Sequence, residues 1–333
     1  MKAFNVSKAD EGQTLIKYVA KVMKLAPMSV IRKAIRKKNI DLNHKKATGN
    51  ESLKAGDVVQ IWFSDETFQK FETPAEKAKD SKRTESVSKS ALNAFKKNII
   101  FEDENVLLVN KPAGILTQSD ETGKVSLNDE LLAYFAEKVN LKSRTVKPSI
   151  CNRLDRNTSG IVICGKTIKG LQQMNNIIKD RSVHKYYRCL CSGRLEGEGE
   201  LKGWLVKDKK KNEVVIRDTE SEGALPVITQ YRVLESFTVD GCDISYVEVL
   251  LVTGRSHQIR AHFSSIGHPL LGDLKYGNKE SLGTTEKLKI KRQLLHAYCL
   301  EFPKLDGDFA DISGKKITAA LPSDINSLLK FRR

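Results

Sequence analysis

An α+β fold built mainly on antiparallel sheet is predicted by three features of this 333-residue chain. Short runs rich in β-branched and aromatic residues recur through its second half, short turns join most of them, and helical patterns fall between them irregularly. In chain order, residues 99–101 and 106–110 flank the acidic turn Glu102-Asp103-Glu104-Asn105 and read as a hairpin. Residues 185–190, 224–234 and 244–252 read as further strands, while residues 127–139, 168–179 and 256–265 fit helices.

Ahead of these elements lies a small module with a different pattern. Residues 14–23 form an amphipathic run. Between residues 28 and 38, Val30, Ile31, Ala34 and Ile35 recur at helical spacing, and Arg32, Lys33, Arg36, Lys37 and Lys38 fill the other positions. One face of that helix packs and the other is cationic, and Pro27 suits its first turn. Short strands follow at residues 39–43 and 57–63, with Gly49 and Gly56 in the turns. From residue 64 to about residue 97 the chain is rich in Lys, Glu, Ser and Thr. Such a stretch buries too little apolar surface to offset its ordering entropy, apart from a short helix near residues 90–95. The expected organisation is therefore residues 1–65 as a basic α+β module, 66–95 as a charged linker and 96–325 as the main α+β domain.

Charge narrows the partner. The chain carries 57 Lys and Arg against 41 Asp and Glu, a formal charge of +16, which attracts polyanions. The first 65 residues hold 13 of those cations against 6 acids. No apolar run is long enough to span a bilayer, and the start of the chain lacks a signal-peptide core, so nucleic acid is expected over membrane, in the cytoplasm. The six cysteines contain no C-x-x-C and suit reduced core thiols.

Two patterns point to chemistry that the surrounding residues reject. Gly160-Ile161-Val162-Ile163-Cys164-Gly165-Lys166-Thr167 matches the phosphate-loop pattern, yet its four central residues are apolar and read as a strand. His257, His262 and His268 lack metal-ligand spacing and a completing Cys or carboxylate cluster, so they read as core or RNA-contacting residues and no metal is expected.

In Asn152-Arg153-Leu154-Asp155-Arg156-Asn157-Thr158-Ser159-Gly160, one carboxylate sits between two arginines ahead of loop-forming residues. Adjacent cations favour the ionised acid, so Asp155 reads as a nucleophile or base rather than a proton donor; an isolated R-x-D-R is otherwise an ordinary surface pair.

The N-terminal order of helix, basic helix, Ile40-Asp41-Leu42-Asn43 and Leu53-Lys54-Ala55-Gly56-Asp57-Val58-Val59 resembles the S4 RNA-binding domain, over about residues 11–63. That resemblance implies phosphate contacts with structured RNA through Arg32, Lys33, Arg36, Lys37 and Lys38, which position without reading sequence. Farther on, the Asp155 segment, Lys185-Tyr186-Tyr187, Thr253-Gly254-Arg255-Ser256-His257-Gln258-Ile259-Arg260 and Gly267-His268-Pro269-Leu270-Leu271-Gly272-Asp273 together resemble RluA-type pseudouridine synthases. Val109-Asn110-Lys111-Pro112-Ala113-Gly114 does so as well.

The resemblance implies a mainly antiparallel mixed-sheet catalytic domain and a cofactor-free isomerisation of uridine in structured RNA, most closely 23S rRNA of the large subunit. It places Asp155 at the essential aspartate, acting at C1′ as the bond to N1 breaks and uracil is reattached through C5. Tyr187 resembles the tyrosine that stacks on the uracil, with the base at C5 as a second role. Arg260 resembles the arginine that pairs with the aspartate, and Arg153 the residue that intrudes into the RNA where the base is flipped out. Asn152 departs from the histidine that many relatives have there, and Arg156 has no implied role. A monomer is the default expectation for an enzyme whose partner is a large RNA. Two other classes compete: a non-catalytic RNA-binding or ribosome-assembly factor, against which Asp155, Tyr187 and Arg260 are all present, and a glycosidase, which needs a second carboxyl near Asp155.

Overall fold

The computed structural model describes residues 1–71, 86–120, 122–137, 146–208 and 213–331. The chain divides into two compact units. The first comprises Met1–Leu108, Gln118–Asn152 and Ile163–Asn176, and the second Val109–Thr117, Arg153–Val162 and Ile177–Arg333.

In the first unit the N-terminal residues form an antiparallel four-stranded sheet of β1 (Lys2–Asn5), β2 (Ile40–Leu42), β3 (Lys45–Lys46) and β4 (Val58–Ile61), in the order β1-β4-β2-β3. Helices α1 (Leu15–Val22), α2 (Met28–Arg36) and α3 (Asp65–Phe71) accompany it. The apolar stripe of α2 does what its spacing dictates: Ile31, Ala34 and Ile35 are buried with Leu15, Val19, Ile40, Val59 and Ile61, and Arg32, Lys33 and Arg36 stay in water. Pro27 is the N-cap of α2 rather than part of its first turn. Strand β3 had no apolar pattern to announce it; a two-residue turn makes it, with Asn43 and His44 at φ 52° and 63°. Left-handed backbone at both central positions is the turn whose twist matches a hairpin, and Asn and His tolerate it better than most residues.

The rest of the first unit holds α4 (Lys89–Lys97), β5 (Ile99–Glu102), α5 (Leu127–Glu137) and β7 (Ser149–Ile150). Part of the expected linker is ordered: α3 buries Phe68 in the N-terminal core, and α4 begins at Ser88, whose hydroxyl accepts the Ala91 amide. Apolar residues at helical spacing explain α4, since Leu92 and Phe95 are buried and Phe95 packs on Tyr134 of α5 with ring centroids 5.5 Å apart. Residues 72–85 of that stretch lie outside the described residues. The two compact units are also not divided at residues 66–95.

Strands β6 (Val106–Lys111) and β8 (Ser159–Gly165), and helix α6 (Ile168–Lys179), pass from one unit into the other. The apparent phosphate loop is strand β8, buried at every residue. Its neighbours are committed elsewhere: Lys166 Nζ pairs with Glu102 Oε1 at 2.7 Å, and Thr167 Oγ1 donates to Asn105 Oδ1 at 2.6 Å.

The second unit is a sheet in the order β11-β10-β12-β13-β9-β14, all antiparallel pairings. Its strands are β9 (His184–Ser192), β10 (Glu198–Asp208), β11 (Glu213–Arg217), β12 (Leu225–Val239), β13 (Cys242–Leu251) and β14 (Leu295–Glu301), and β15 (Lys316–Thr318) also pairs with β14. Helices α7 (Gln258–Ser265), α8 (Lys279–Lys287) and α9 (Ser323–Leu329) complete it. A parallel pairing of β14 with the start of β8, His296 against Ser159 and Ala297 against Gly160, makes the sheet mixed. Gly160 permits that approach. Its φ is 117°, and a Cβ there would lie 2.3 Å from the Ala297 carbonyl oxygen. All six cysteines are free thiols. Among the described residues no helix is long and apolar enough to cross a membrane.

Candidate active site

The second unit gathers Asp155, Tyr187 and Arg260 from three distant parts of the chain. Asp155 stands in the loop leading into β8, and the Asp155 carbonyl accepts the Thr158 amide at 3.0 Å. A second segment holds this loop from behind. Thr117 Oγ1 donates to the Leu154 carbonyl at 2.6 Å and accepts the Leu154 amide at 3.2 Å. The Gly114 amide reaches the Arg156 carbonyl at 2.8 Å, and Arg156 Nε returns a bond to the Gly114 carbonyl at 3.0 Å. Lys111 is fully buried, and its ammonium donates to the carbonyls of Pro112, Ile115 and Arg156 at 2.9, 2.9 and 3.1 Å.

The motif around Lys111 and Gly114 is thus a clasp on the loop that carries Asp155, and Arg156 belongs to that clasp. Lys111→Met keeps the length and apolar stem but strips donors from three carbonyls. The expected result is a kcat lower by about 10- to 100-fold, from a carboxylate displaced by a fraction of an ångström, with RNA affinity unchanged. Single-turnover rates beside filter-binding titrations check it; an unaltered kcat would assign the clasp no part in positioning.

Arg260 comes from the first turn of α7 and is 7% exposed. Its guanidinium is divided between two acids. Nε and Nη2 take Asp273 Oδ2 and Oδ1 at 2.6 and 2.8 Å, and Nη1 donates to Asp155 Oδ2 at 3.0 Å. Burial works against the charge on Arg260, but hydrogen bonds and the charge of Asp273, then those of Asp155, hold it protonated more firmly than usual. Asp273 is itself only 1% exposed and also accepts the amides of Lys275 and Tyr276 on Oδ1. A carboxylate so enclosed orients the arginine and cannot meet a substrate, so it does not supply the second reacting acid of a glycosidase.

His257 is the residue whose place the sequence concealed. Instead of lying inside the helix expected over residues 256–265, it precedes α7 as its N-cap, at φ 55°. Its Nδ1 is 2.9 Å from the Tyr276 hydroxyl, and its Nε2 faces Asp155 Oδ2 at 3.8 Å. The Tyr276 oxygen already accepts the Val214 amide at 3.0 Å, so its single proton is free to go to Nδ1. With the Tyr276 proton on Nδ1, a neutral His257 carries its own ring proton on Nε2, toward Asp155. Burial lowers the His257 pKa; Asp155 and Asp273 raise it, Arg260 and Lys275 lower it further, and the net direction is down. Both nitrogen donors converge on Oδ2. Asp155 Oδ1 makes no hydrogen bond or ion pair among the described residues, and the side chain is 28% exposed. Oδ2 is held, and Oδ1 is without a partner among the described residues.

Tyr187 lies in β9, opposite Val249 and Ala297, and is buried, whereas Tyr186 turns to the other face and donates to Glu301 Oε2 at 3.2 Å. Burial, followed by the charge of Asp155, pushes the Tyr187 phenol far above its ordinary pKa. Both causes disfavour the phenolate, so Tyr187 is a neutral phenol beside that carboxylate. Lys185 shares the Tyr187 face by the two-residue strand period and lies beside Gly254. The turn at Gly254 is fixed by Gln258, which is 1% exposed. Its amide donates to Ile228 O and Thr229 Oγ1 and accepts from Thr253 Oγ1 and Arg255 N. Arg153 is exposed beside the carboxylate loop. Asn152 is spent on structure, its Oδ1 accepting the Ile163 amide at 2.7 Å. The other two histidines serve the fold: His262 Nδ1 meets Thr229 Oγ1 at 2.7 Å, and His268 Nδ1 meets the Ser192 carbonyl at 2.9 Å.

The candidate site is thus a part-exposed carboxylate ion-paired to a buried arginine, with a buried tyrosine whose phenol feels the charge of that carboxylate. Comparison with known proteins gives the class. Residues 105–265 match the family described as RNA pseudouridylate synthase. The chain is 33% identical over 267 residues to a ribosomal large subunit pseudouridine synthase C of Rickettsia conorii, covering 80% of this chain and 82% of that one. It is 30% identical over 305 residues to an RNA pseudouridine synthase of Mycoplasma genitalium, covering 91% and 90%. Among solved structures, human RNA pseudouridylate synthase domain containing 4 superposes with a TM-score of 0.58 at 24% identity, over 73% of this chain and 96% of that one. The chain belongs to the RluA family of RNA pseudouridine synthases, and it is an isomerase acting on RNA.

Proposed function

We propose that the chain converts specific uridines of large-subunit rRNA to pseudouridine, with Asp155 as the reacting group and the target nucleotide flipped out of the RNA. The observation that carries this reading is the asymmetry of Asp155, whose Oδ2 is anchored by Arg260 while Oδ1 stands open. Oδ1 is the atom positioned to act at C1′ while the bond to N1 breaks. The uracil then turns, its C5 bonds to C1′, C5 gives up its proton to solvent and N1 takes one, so the isomerisation balances with no cofactor. Neutral Tyr187 provides a surface for the uracil. Exposed Arg153 is placed to fill the vacated stack, an exchange worth roughly 1–3 kcal/mol against a flipping cost of a few kcal/mol. The choice of large-subunit rRNA rests on the names of the relatives from Rickettsia conorii and of a synthase D from Neisseria meningitidis, 34% identical over 249 residues. The basic face of α2 supplies the phosphate contacts that such an RNA requires.

Pseudouridine mapping of total RNA from cells with and without the gene tests the whole reading. At least one large-subunit rRNA site should vanish and return on complementation. A loss confined to tRNA would overturn the choice of substrate, and an unchanged map in both RNAs would overturn the proposal.

A further inference from the structure

The N-terminal module exposes one large aromatic ring where its charge is densest. Trp62 follows β4 and is 50% exposed. It is not a loose surface residue. Its amide donates to the Asn39 carbonyl at 2.8 Å, directly after Lys37 and Lys38, and its indole Nε1 donates to Asp41 Oδ2 at 2.8 Å. Asp41 is 3% exposed and sits in β2 opposite Lys46 of β3. A buried carboxylate thus anchors the only polar atom of the indole, and the surface left in water is hydrocarbon and π-face. The ring is therefore held at a fixed place with part of its face in water. Around it, Arg36, Lys37, Lys38, Lys45 and Lys46 are all exposed.

We infer that Trp62 is a stacking platform for an unpaired nucleobase, held beside cations that take the flanking phosphates. This binding site for single-stranded RNA is separate from the pocket for the reacting uridine. The pairing of fixed ring and cations is the chemistry of single-strand recognition, in which each base stacks on an aromatic face and the backbone is neutralised nearby. A protein partner would also cover an indole, but Arg36, Lys37, Lys38, Lys45 and Lys46 outnumber Asp65 and Glu66, the exposed acids that follow Trp62 in the chain, and suit a polyanion. The inference rests on RNA binding by this module and adds that the module distinguishes unpaired from paired RNA.

The test uses the full chain and two fluorescein-labelled RNAs sharing one stem, a blunt hairpin and the same hairpin with a ten-nucleotide single-stranded tail. Trp62→Ala should weaken binding of the tailed RNA by about 5- to 100-fold, leave the blunt hairpin unchanged and keep the salt slope, while Trp62→Phe restores most of the loss. In Trp204→Phe, Trp62 is the sole tryptophan, and its emission should be quenched by the tailed RNA and not by the blunt one. Equal affinities of wild type and Trp62→Ala for the tailed RNA would overturn the platform while leaving RNA binding intact. Equal losses for both RNAs would overturn it as a single-strand site. Failure of the wild type to bind either RNA would remove the RNA-binding reading of the module and this inference with it.

Discussion

Asp155→Asn is expected to lower kcat by roughly 1,000-fold or more while leaving RNA affinity within about twofold of wild type. The substitution keeps the shape of the side chain and an oxygen that can accept from Arg260 Nη1, now 3.0 Å from Oδ2. What it removes is the negative charge and the nucleophilic or basic lone pair at Oδ1. The side chain is partly exposed and its loop is held by main-chain bonds to Thr117 and Gly114, so folding should survive. Release of tritium from RNA labelled at C5 of uridine reads the reaction directly, because that hydrogen must leave when C5 bonds to the sugar. Retained release by the purified variant would falsify Asp155 as the reacting group, and a matching loss of RNA binding would mean that its charge serves recognition.

Arg260→Lys should separate positioning from charge. A lysine keeps the cation but cannot present one fork to Asp273 and a third nitrogen to Asp155, so at most one acid stays well paired. Since Asp273 is enclosed, losing its bidentate partner should cost about 1.5–3 kcal/mol and lower Tm by several degrees. The ammonium is expected to stay with Asp273, leaving Asp155 unheld and kcat about 100-fold lower. Asp273→Asn should lower kcat through the same loss of orientation, with Asp155 untouched. Circular-dichroism melts beside the tritium assay give both readouts; full activity in Arg260→Lys would show that a nearby positive charge suffices.

The residues legible in the sequence were those whose type carries the chemistry. Asp155, Tyr187 and Arg260 stand in separate motifs, and the fold brings them together from the loop before β8, from β9, which β14 separates from β8, and from helix α7. The less legible parts depend on conformation. His257 was hidden because helical periodicity counts it inside α7, whereas its left-handed backbone turns the ring toward Asp155. Lys111 was visible as part of a motif, but its role was not, because only the fold encloses its ammonium among carbonyls. Asp273 was visible as the last letter of a motif, but its role appears only when Arg260 lies beside it. Strands β10 and β11 escaped because their charged sequence lacks a continuous apolar signal; exposed and half-buried residues alternate along much of β10. Helix α8 had a usable signal in Asn278 and Ser281, whose reciprocal side-chain bonds form a capping box.

The clasp behind the Asp155 loop carries a consequence for how such an enzyme can diversify. Main-chain carbonyls, a buried ammonium and a glycine seated against Ala297 fix the loop from within the second unit. None of those restraints uses the exposed side chains Arg153, Arg32 or Lys37. Exposed side chains outside the clasp, Arg32 and Lys37 among them, can therefore change over generations while the bonds that hold the carboxylate stay as they are.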